Sequence, residues 1–260
     1  MDFRLIRYAA GERVARITLN RPDKRNALDE TMVGELTSAF AAAARDVNIK
    51  VVVLAAAGPA FCAGADIAQM ERMSTFDMEQ NRADSLRLAT LFRTMYEIRK
   101  PVIALVHGAA LAGGCGLATV CDFVLAARDR ATFGYTEVHA GFVPAIVSVY
   151  LAKRIGEARA RELILRGNVL SATEAQAIGL ITAAVDDDQL ETKGTTLVQE
   201  LIAQNSASAM GMAKEMLGKM NGMNLADAVD FAVNVNAAAR MTADCKKGMQ
   251  AFLHKQKPEW

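Results

Sequence analysis

No stretch of this 260-residue chain runs about 18 apolar residues without a charge, so a membrane-spanning helix is not expected. Charge of one sign is lacking too. The 30 basic and 29 acidic residues are interspersed and leave a net +1, which argues against a nucleic-acid surface or a polybasic membrane patch. The opening residues, Met1-Asp2-Phe3-Arg4-Leu5-Ile6-Arg7-Tyr8, carry no apolar signal-peptide segment and no small-residue cleavage site, so the expected location is cytoplasmic. Cysteine is scarce: Cys62, Cys115, Cys121 and Cys245 show no metal-ligand spacing, and they read as small buried hydrophobes. His107, His139 and His254 are too scattered for a metal cluster. No internal repeat or low-complexity tract is visible, and the length suits one large core plus an appendage.

Residues 105–122 carry the most information. An apolar run from Val102 to Val106 breaks at Gly108, and a small-residue loop then opens a helix at Gly113-Gly114. A loop of that kind aims unpaired helix N-terminal amides at whatever sits above it, an arrangement suited to an oxyanion or a phosphate. Two nucleotide-binding readings fail. Gly108 and Gly113 have the Walker spacing, but Gly114 stands where the lysine is needed. Gly114-Cys115-Gly116 is followed by Leu117-Ala118-Thr119, so the third dinucleotide glycine is missing as well. A second such loop, Phe61-Cys62-Ala63-Gly64-Ala65-Asp66-Ile67, follows the buried-strand pattern of Val51 to Ala55 and a turn at 56–60.

Around these loops the pattern predicts alternating strands and helices. Ala15, Ile17 and Leu19 alternate with Arg16 and Thr18 as in a half-buried strand, and Asp29 caps a helix running through Met32, Leu36, Phe40 and Ala43. A long helix is expected over about 76–98, strands at 102–106, 123–126 and 132–134, and a helix from Gly113 to about Cys121. Ser171 to Glu174 is a capping box for a short helix ended by Gly179, with a strand at 181–185. After Asp186-Asp187-Asp188 only helical segments remain, near 190–204, 206–220, 224–240 and 242–255. Four amphipathic helices need something to cover, and many of the 13 methionines lie there as adaptable packing.

With Leu-Asn-Arg-Pro-Asp-Lys-Arg-Asn-Ala-Leu at 19–28 ahead of the two loops, the chain resembles the crotonase, or enoyl-CoA hydratase/isomerase, superfamily from about residue 13 to its end. The resemblance implies an α/β, ClpP-like crotonase fold of stacked ββα superhelical turns. It implies a spiral core over 1–190 and a C-terminal helical region over 191–260 that packs subunits into trimers or pairs of trimers. It also implies a CoA thioester substrate, with coenzyme A as part of the substrate and no metal or redox cofactor. By the same resemblance, the amides of Ala65 and Gly113 hold the thioester oxygen as it gains negative charge, each such donor being worth about 3–4 kcal/mol in a dry site.

The carboxylate implied for proton transfer is Glu137, in Phe133-Gly134-Tyr135-Thr136-Glu137. In a partly apolar pocket its pKa should rise. Ordinary hydratases of this family carry a second glutamate three residues after the oxyanion glycine, and here that position is Gly116. Three readings stay open. Glu137 does both hydratase jobs; His139 or Tyr135 assists it; or the chain is a Δ3,Δ2-enoyl-CoA isomerase that moves one proton without adding water. Residues 136–148, with Gly114-Cys115-Gly116-Leu117, resemble the branch containing methylglutaconyl-CoA and related branched-chain enoyl-CoA hydratases, which favours hydration of a short or branched 2-enoyl-CoA. A non-catalytic acyl-CoA binding subunit is the alternative from another class. For CoA itself the resemblance points to Lys24, Arg25, Ala27 and Ala63, to Asp66 and Ile67 beside the adenine, and to Phe252 and Lys255 closing over it, often from a neighbouring subunit.

Overall fold

A computed structural model describes residues 2–260. Strands β1 (Ile6–Gly11) and β2 (Val14–Leu19) form an antiparallel hairpin, in which Ala15, Ile17 and Leu19 are buried, as their alternation predicts. Helix α1 (Glu30–Arg45) starts where Asp29 accepts the Met32 amide at 2.8 Å, and it buries Met32, Leu36, Phe40 and Ala43 along one face. Then come β3 (Val51–Ala56), α2 (Ile67–Met73), α3 (Met78–Glu97), β4 (Val102–Val106), β5 (Ala109–Leu111), α4 (Gly113–Thr119), β6 (Phe123–Ala127) and β7 (Thr132–Gly134). The next elements are α5 (Ala145–Ile155), α6 (Glu157–Arg166), β8 (Val169–Ser171), α7 (Ala172–Ala177) and β9 (Ala183–Val185). Four helices end the chain: α8 (Leu190–Gln204), α9 (Ala207–Met220), α10 (Leu225–Arg240) and α11 (Ala243–Leu253).

The main sheet runs β1-β2-β3-β4-β6-β9 and is parallel except for the first pair. A second layer is built from short pieces. Leu28 bridges to Ala65, Cys62 to Ala110, β5 pairs with β7, and β7 with β8. Each of β2, β3, β4 and β6 thus leads into a short extended piece of the second layer and then a helix. These are the expected ββα turns, stacked so that the loop ending each turn meets the loop of the next. Both faces of the parallel sheet are covered, so β3 and β4 read as continuous apolar runs rather than alternating ones. Phe40, Phe61, Phe92, Phe133 and Tyr135 fill the core, each large side chain contributing about 1.5–3 kcal/mol by its burial.

The C-terminal helical region divides by packing. Leu190, Val198 and Leu201 of α8 are buried, and Gly194 meets Leu105 of β4 so closely that a Cβ would sit 2.9 Å from Leu105 Cδ1. Helix α8 is therefore part of the core. Lys50, buried at the start of β3, ties the far end of α8 by donating to the carbonyls of Ile202, at 2.7 Å, and Asn205. Helices α10 and α11 leave apolar stripes outside: Leu225, Val229 and Val233, and Met249, Phe252 and Leu253. Among the described residues no helix is long and apolar enough to cross a membrane.

Candidate active site

Two loops of successive turns meet edge to edge. The Cys62 amide donates to Ala109 O at 3.0 Å, the Leu111 amide donates to Cys62 O at 3.0 Å, and the Leu28 amide donates to Gly64 O at 2.7 Å. Gly64 is held at φ +94°, and a Cβ there would come within 2.9 Å of Ala112 Cβ, so both conformation and space require glycine. Ala112 has a positive φ, +48°, which is uncommon for a residue with a side chain. Its amide donates to Gly134 O at 2.8 Å, and its carbonyl accepts the Gly116 amide at 3.0 Å, so neighbours on both sides impose that conformation. Immediately after these two constrained residues come Ala65 and Gly113. Neither of their amides donates to any described protein group, and both line one cavity of about 440 Å³.

Glu137 lines the same cavity from the short helical turn Glu137–Ala140 that follows β7. Its Oε2 is buried and makes no hydrogen bond within the protein. Burial raises its carboxyl above the ordinary glutamate value, outweighing the opposing hydrogen bond from its own backbone amide. A carboxyl with one buried, unpartnered oxygen and a raised pKa, lining the same cavity as two free amides, is suited to act as a base on a substrate whose developing negative charge those amides hold.

The position of the family's second glutamate is filled. A Cβ built on Gly116 would overlap Val147 Cγ1 of α5 and lie 3.0 Å from Phe92 Cζ of α3. A carboxylate at 116 has no room unless α3 or α5 shifts. The two proposed assistants are engaged elsewhere. Tyr135 is fully buried, and its hydroxyl shares a 2.7 Å hydrogen bond with Thr119 Oγ1. Burial, first of all, drives its pKa well above the ordinary phenol value. His139 is exposed and packs against Gly167, its Nε2 3.2 Å from Arg166 O. The loop thiols of Cys62 and Cys115 are buried and pushed up to about 12, so neither is a nucleophile at neutral pH.

A sequence profile of the enoyl-CoA hydratase/isomerase family matches residues 9–260. The chain belongs to that family. A Thermus thermophilus protein named as a candidate enoyl-CoA hydratase is 39% identical over 247 residues, covering 95% of this chain and 97% of its own length. The enoyl-CoA hydratase structure from Mycobacterium smegmatis superposes with a TM-score of 0.93 at 32% identity, over 99% of each chain. Pseudomonas aeruginosa AtuE does so with a TM-score of 0.93 at 34% identity, over 98% of each. The fold is thus that of the crotonases, and the protein is an enzyme of the enoyl-CoA hydratase type, acting on an acyl-CoA thioester.

Of the residues the resemblance singled out, this hydratase-family fold gathers Ala63, Ala65, Gly113 and Glu137 around one cavity. The others lie outside its lining. Lys24 and Arg25 are exposed on a turn, with Arg25 at φ +50°. Ala27 is buried, its carbonyl accepting Arg21 Nη1 at 3.2 Å. Asp66 turns inward and caps α2: Oδ1 accepts the Ala68 amide at 2.8 Å, and Oδ2 pairs with Arg21 at 2.9 Å. Burial alone would raise the Asp66 carboxyl, but the Gln69 amide, Arg21 and the Ala68 amide together hold it below the ordinary range. Ile67 and Phe252 are 84% and 83% exposed, and Lys255 is exposed beyond α11. Sequence reasoning missed the walls: Gln69, Met70 and Met73 from α2, Arg87 and Leu88 from α3, and Phe142 to Val147 before and in α5. Phe142 to Val147 fall within the 136–148 stretch that carries the branch resemblance, but no motif marks the walls from α2 and α3, which reach the cavity only through the stacking of turns.

Proposed function

We propose that this enzyme reversibly hydrates a short or branched 2-enoyl-CoA, with 3-methylglutaconyl-CoA among the candidates, using Glu137 as its single acid and base. The observation that carries the reading is the buried, unpartnered Glu137 Oε2 sharing a cavity with the free amides of Ala65 and Gly113. The amides hold the thioester oxygen as C2 gains electron density. Glu137 takes a proton from water as its oxygen bonds to C3, and then returns a proton to C2. The apolar stripes of α10 and α11 support a homotrimer or a pair of trimers, in which Phe252 and Lys255 reach a neighbour's CoA.

A second reading has one observation in its favour. Val147 and Phe92 exclude a second carboxylate, as suits an isomerase that moves a proton between C4 and C2. Incubation with 2-enoyl- and 3-enoyl-CoA substrates in H₂¹⁸O separates the two. Hydration is expected to abolish the conjugated thioester absorbance and place ¹⁸O at C3. Rapid conversion of 3-enoyl- to 2-enoyl-CoA, with no ¹⁸O entering any 2-enoyl-CoA, would establish the isomerase instead.

A further inference from the structure

Two side chains with a buried, unpartnered polar atom line the same cavity: Glu137 through Oε2, and Arg87 through Nε. The chemistry above uses the first and leaves the second without a role. Arg87 projects from α3 toward α1 and α2. Its Nη2 donates to Asp84 Oδ1 at 3.2 Å, an oxygen that also accepts Gln69 Nε2 at 3.0 Å. The acid nearest Nε is Glu30, whose Oε1 stands 3.5 Å away on a side chain 59% exposed and forms no hydrogen bond with it. An ion pair of that exposure contributes little. A guanidinium cannot escape its charge by losing a proton, so a buried Nε–H without an acceptor is a donor still to be matched.

We propose that Arg87 determines acyl specificity, its Nε taking the terminal carboxylate of an acidic acyl group in place of Glu30. The inference rests on the acyl-CoA reading of the cavity and names the class of acyl group within it. Arg87 is the one cation among the described lining residues, and much of the wall around it is apolar, with Met70, Met73, Leu88, Ile146 and Val147. A carboxylate entering this space has one charged donor to find among four lining acids, of which Asp29 is paired with Arg21, Asp84 with Arg87 Nη2, and Glu137 is shifted toward its protonated form by burial. Room for its charge comes from Glu30, which lies on the exposed side of α1 and swings to solvent when displaced. A carboxylate that reaches hydrogen-bonding geometry at Nε makes a charge-assisted bond, about twice as strong as a neutral one, where Glu30 at 3.5 Å makes none.

The test compares binding of 3-methylglutaryl-CoA and isovaleryl-CoA, which differ by one carboxylate and have no double bond to react. Wild type is expected to bind the carboxylated analogue about tenfold more tightly, the scale of one charge-assisted hydrogen bond. Arg87→Met should erase that ratio, and Arg87→Lys should recover only part of it. Glu30→Gln, which removes the competing carboxylate and leaves the clamp to Asp84 in place, should raise it. A wild-type preference for isovaleryl-CoA, or a ratio unmoved by Arg87→Met or lowered by Glu30→Gln, overturns the proposal. Because the probes are saturated, failure of the hydration reading would show in the ¹⁸O experiment and leave this ratio intact.

Discussion

At the scale of single residues the decisive fact is a carboxylate that pays in solvation for its position. Burial raises the Glu137 carboxyl, so its protonated form is the one the fold favours. The stability this group lends is therefore present below the ordinary glutamate range and is lost as pH rises through its raised folded value. Glu137→Gln is expected to lower kcat at least ~10²-fold, the scale of general acid–base catalysis. It should also melt at a higher temperature than wild type near neutral pH, with the gap closing on acidification. In wild type the acid limb of kcat/KM should lie above the ordinary glutamate pKa. Stopped assays and thermal melts across pH check both, and a variant keeping a third of wild-type turnover removes Glu137 from its role. Gly116 teaches the complementary lesson. The sequence shows a missing carboxylate, and the structure shows Val147 and Phe92 occupying its place.

At the scale of elements, the free amides of Ala65 and Gly113 depend on where α2 and α4 begin. Asp66 fixes the first of these starts, one residue after Ala65. It satisfies the Ala68 and Gln69 amides and meets Arg21, which also lies 3.2 Å from Asp29 at the start of α1. Asp66→Ala is expected to cost about 1–2 kcal/mol of stability through loss of the cap. It should also reduce kcat/KM, because the Ala65 amide is no longer held in place. Asp66→Asn, which still accepts an amide proton, should restore most of the stability. Denaturant titration alongside kinetics tests this, and an alanine variant with unchanged midpoint and activity would refute it. Much at this scale was legible beforehand. Both capping signals, Asp29 and the Ser171–Glu174 box, work as read, and α8 spans 190–204 as expected. Helices α5 and α6 escape a sequence reading. α5 carries no side-chain cap and buries only Val147 and Leu151, so its apolar pattern comes from covering α4 and the cavity.

For the whole molecule, the open question is what covers the outer helices. Leu225, Val229 and Val233 repeat every four residues along one face of α10, all exposed in the single chain. Val229→Glu places a charge in the middle of that stripe and is expected to yield smaller assemblies by light scattering, with helical content unchanged. Unaltered stoichiometry in that variant would move the interface elsewhere. Helix α8 does not belong to this surface, since it seals the parallel sheet against Leu105.

The sequence by itself determined the strand–loop–helix units and their caps, and its resemblance to the family pointed to three residues that the fold brings to one cavity: Ala65, Gly113 and Glu137. The units and caps rest on interactions between residues close in the chain, which leave patterns of spacing and composition, and the resemblance is carried by motifs of the same short range. Tertiary structure decided what lies across from them. The Ala112 backbone is held by Gly134, the space at Gly116 is taken from α3 and α5, and Arg87 faces the same cavity as Glu137 with a donor unmatched. Such contacts join residues tens of positions apart through the stacking of successive turns. Their partners are set by the superhelix as a whole, and no local pattern records them.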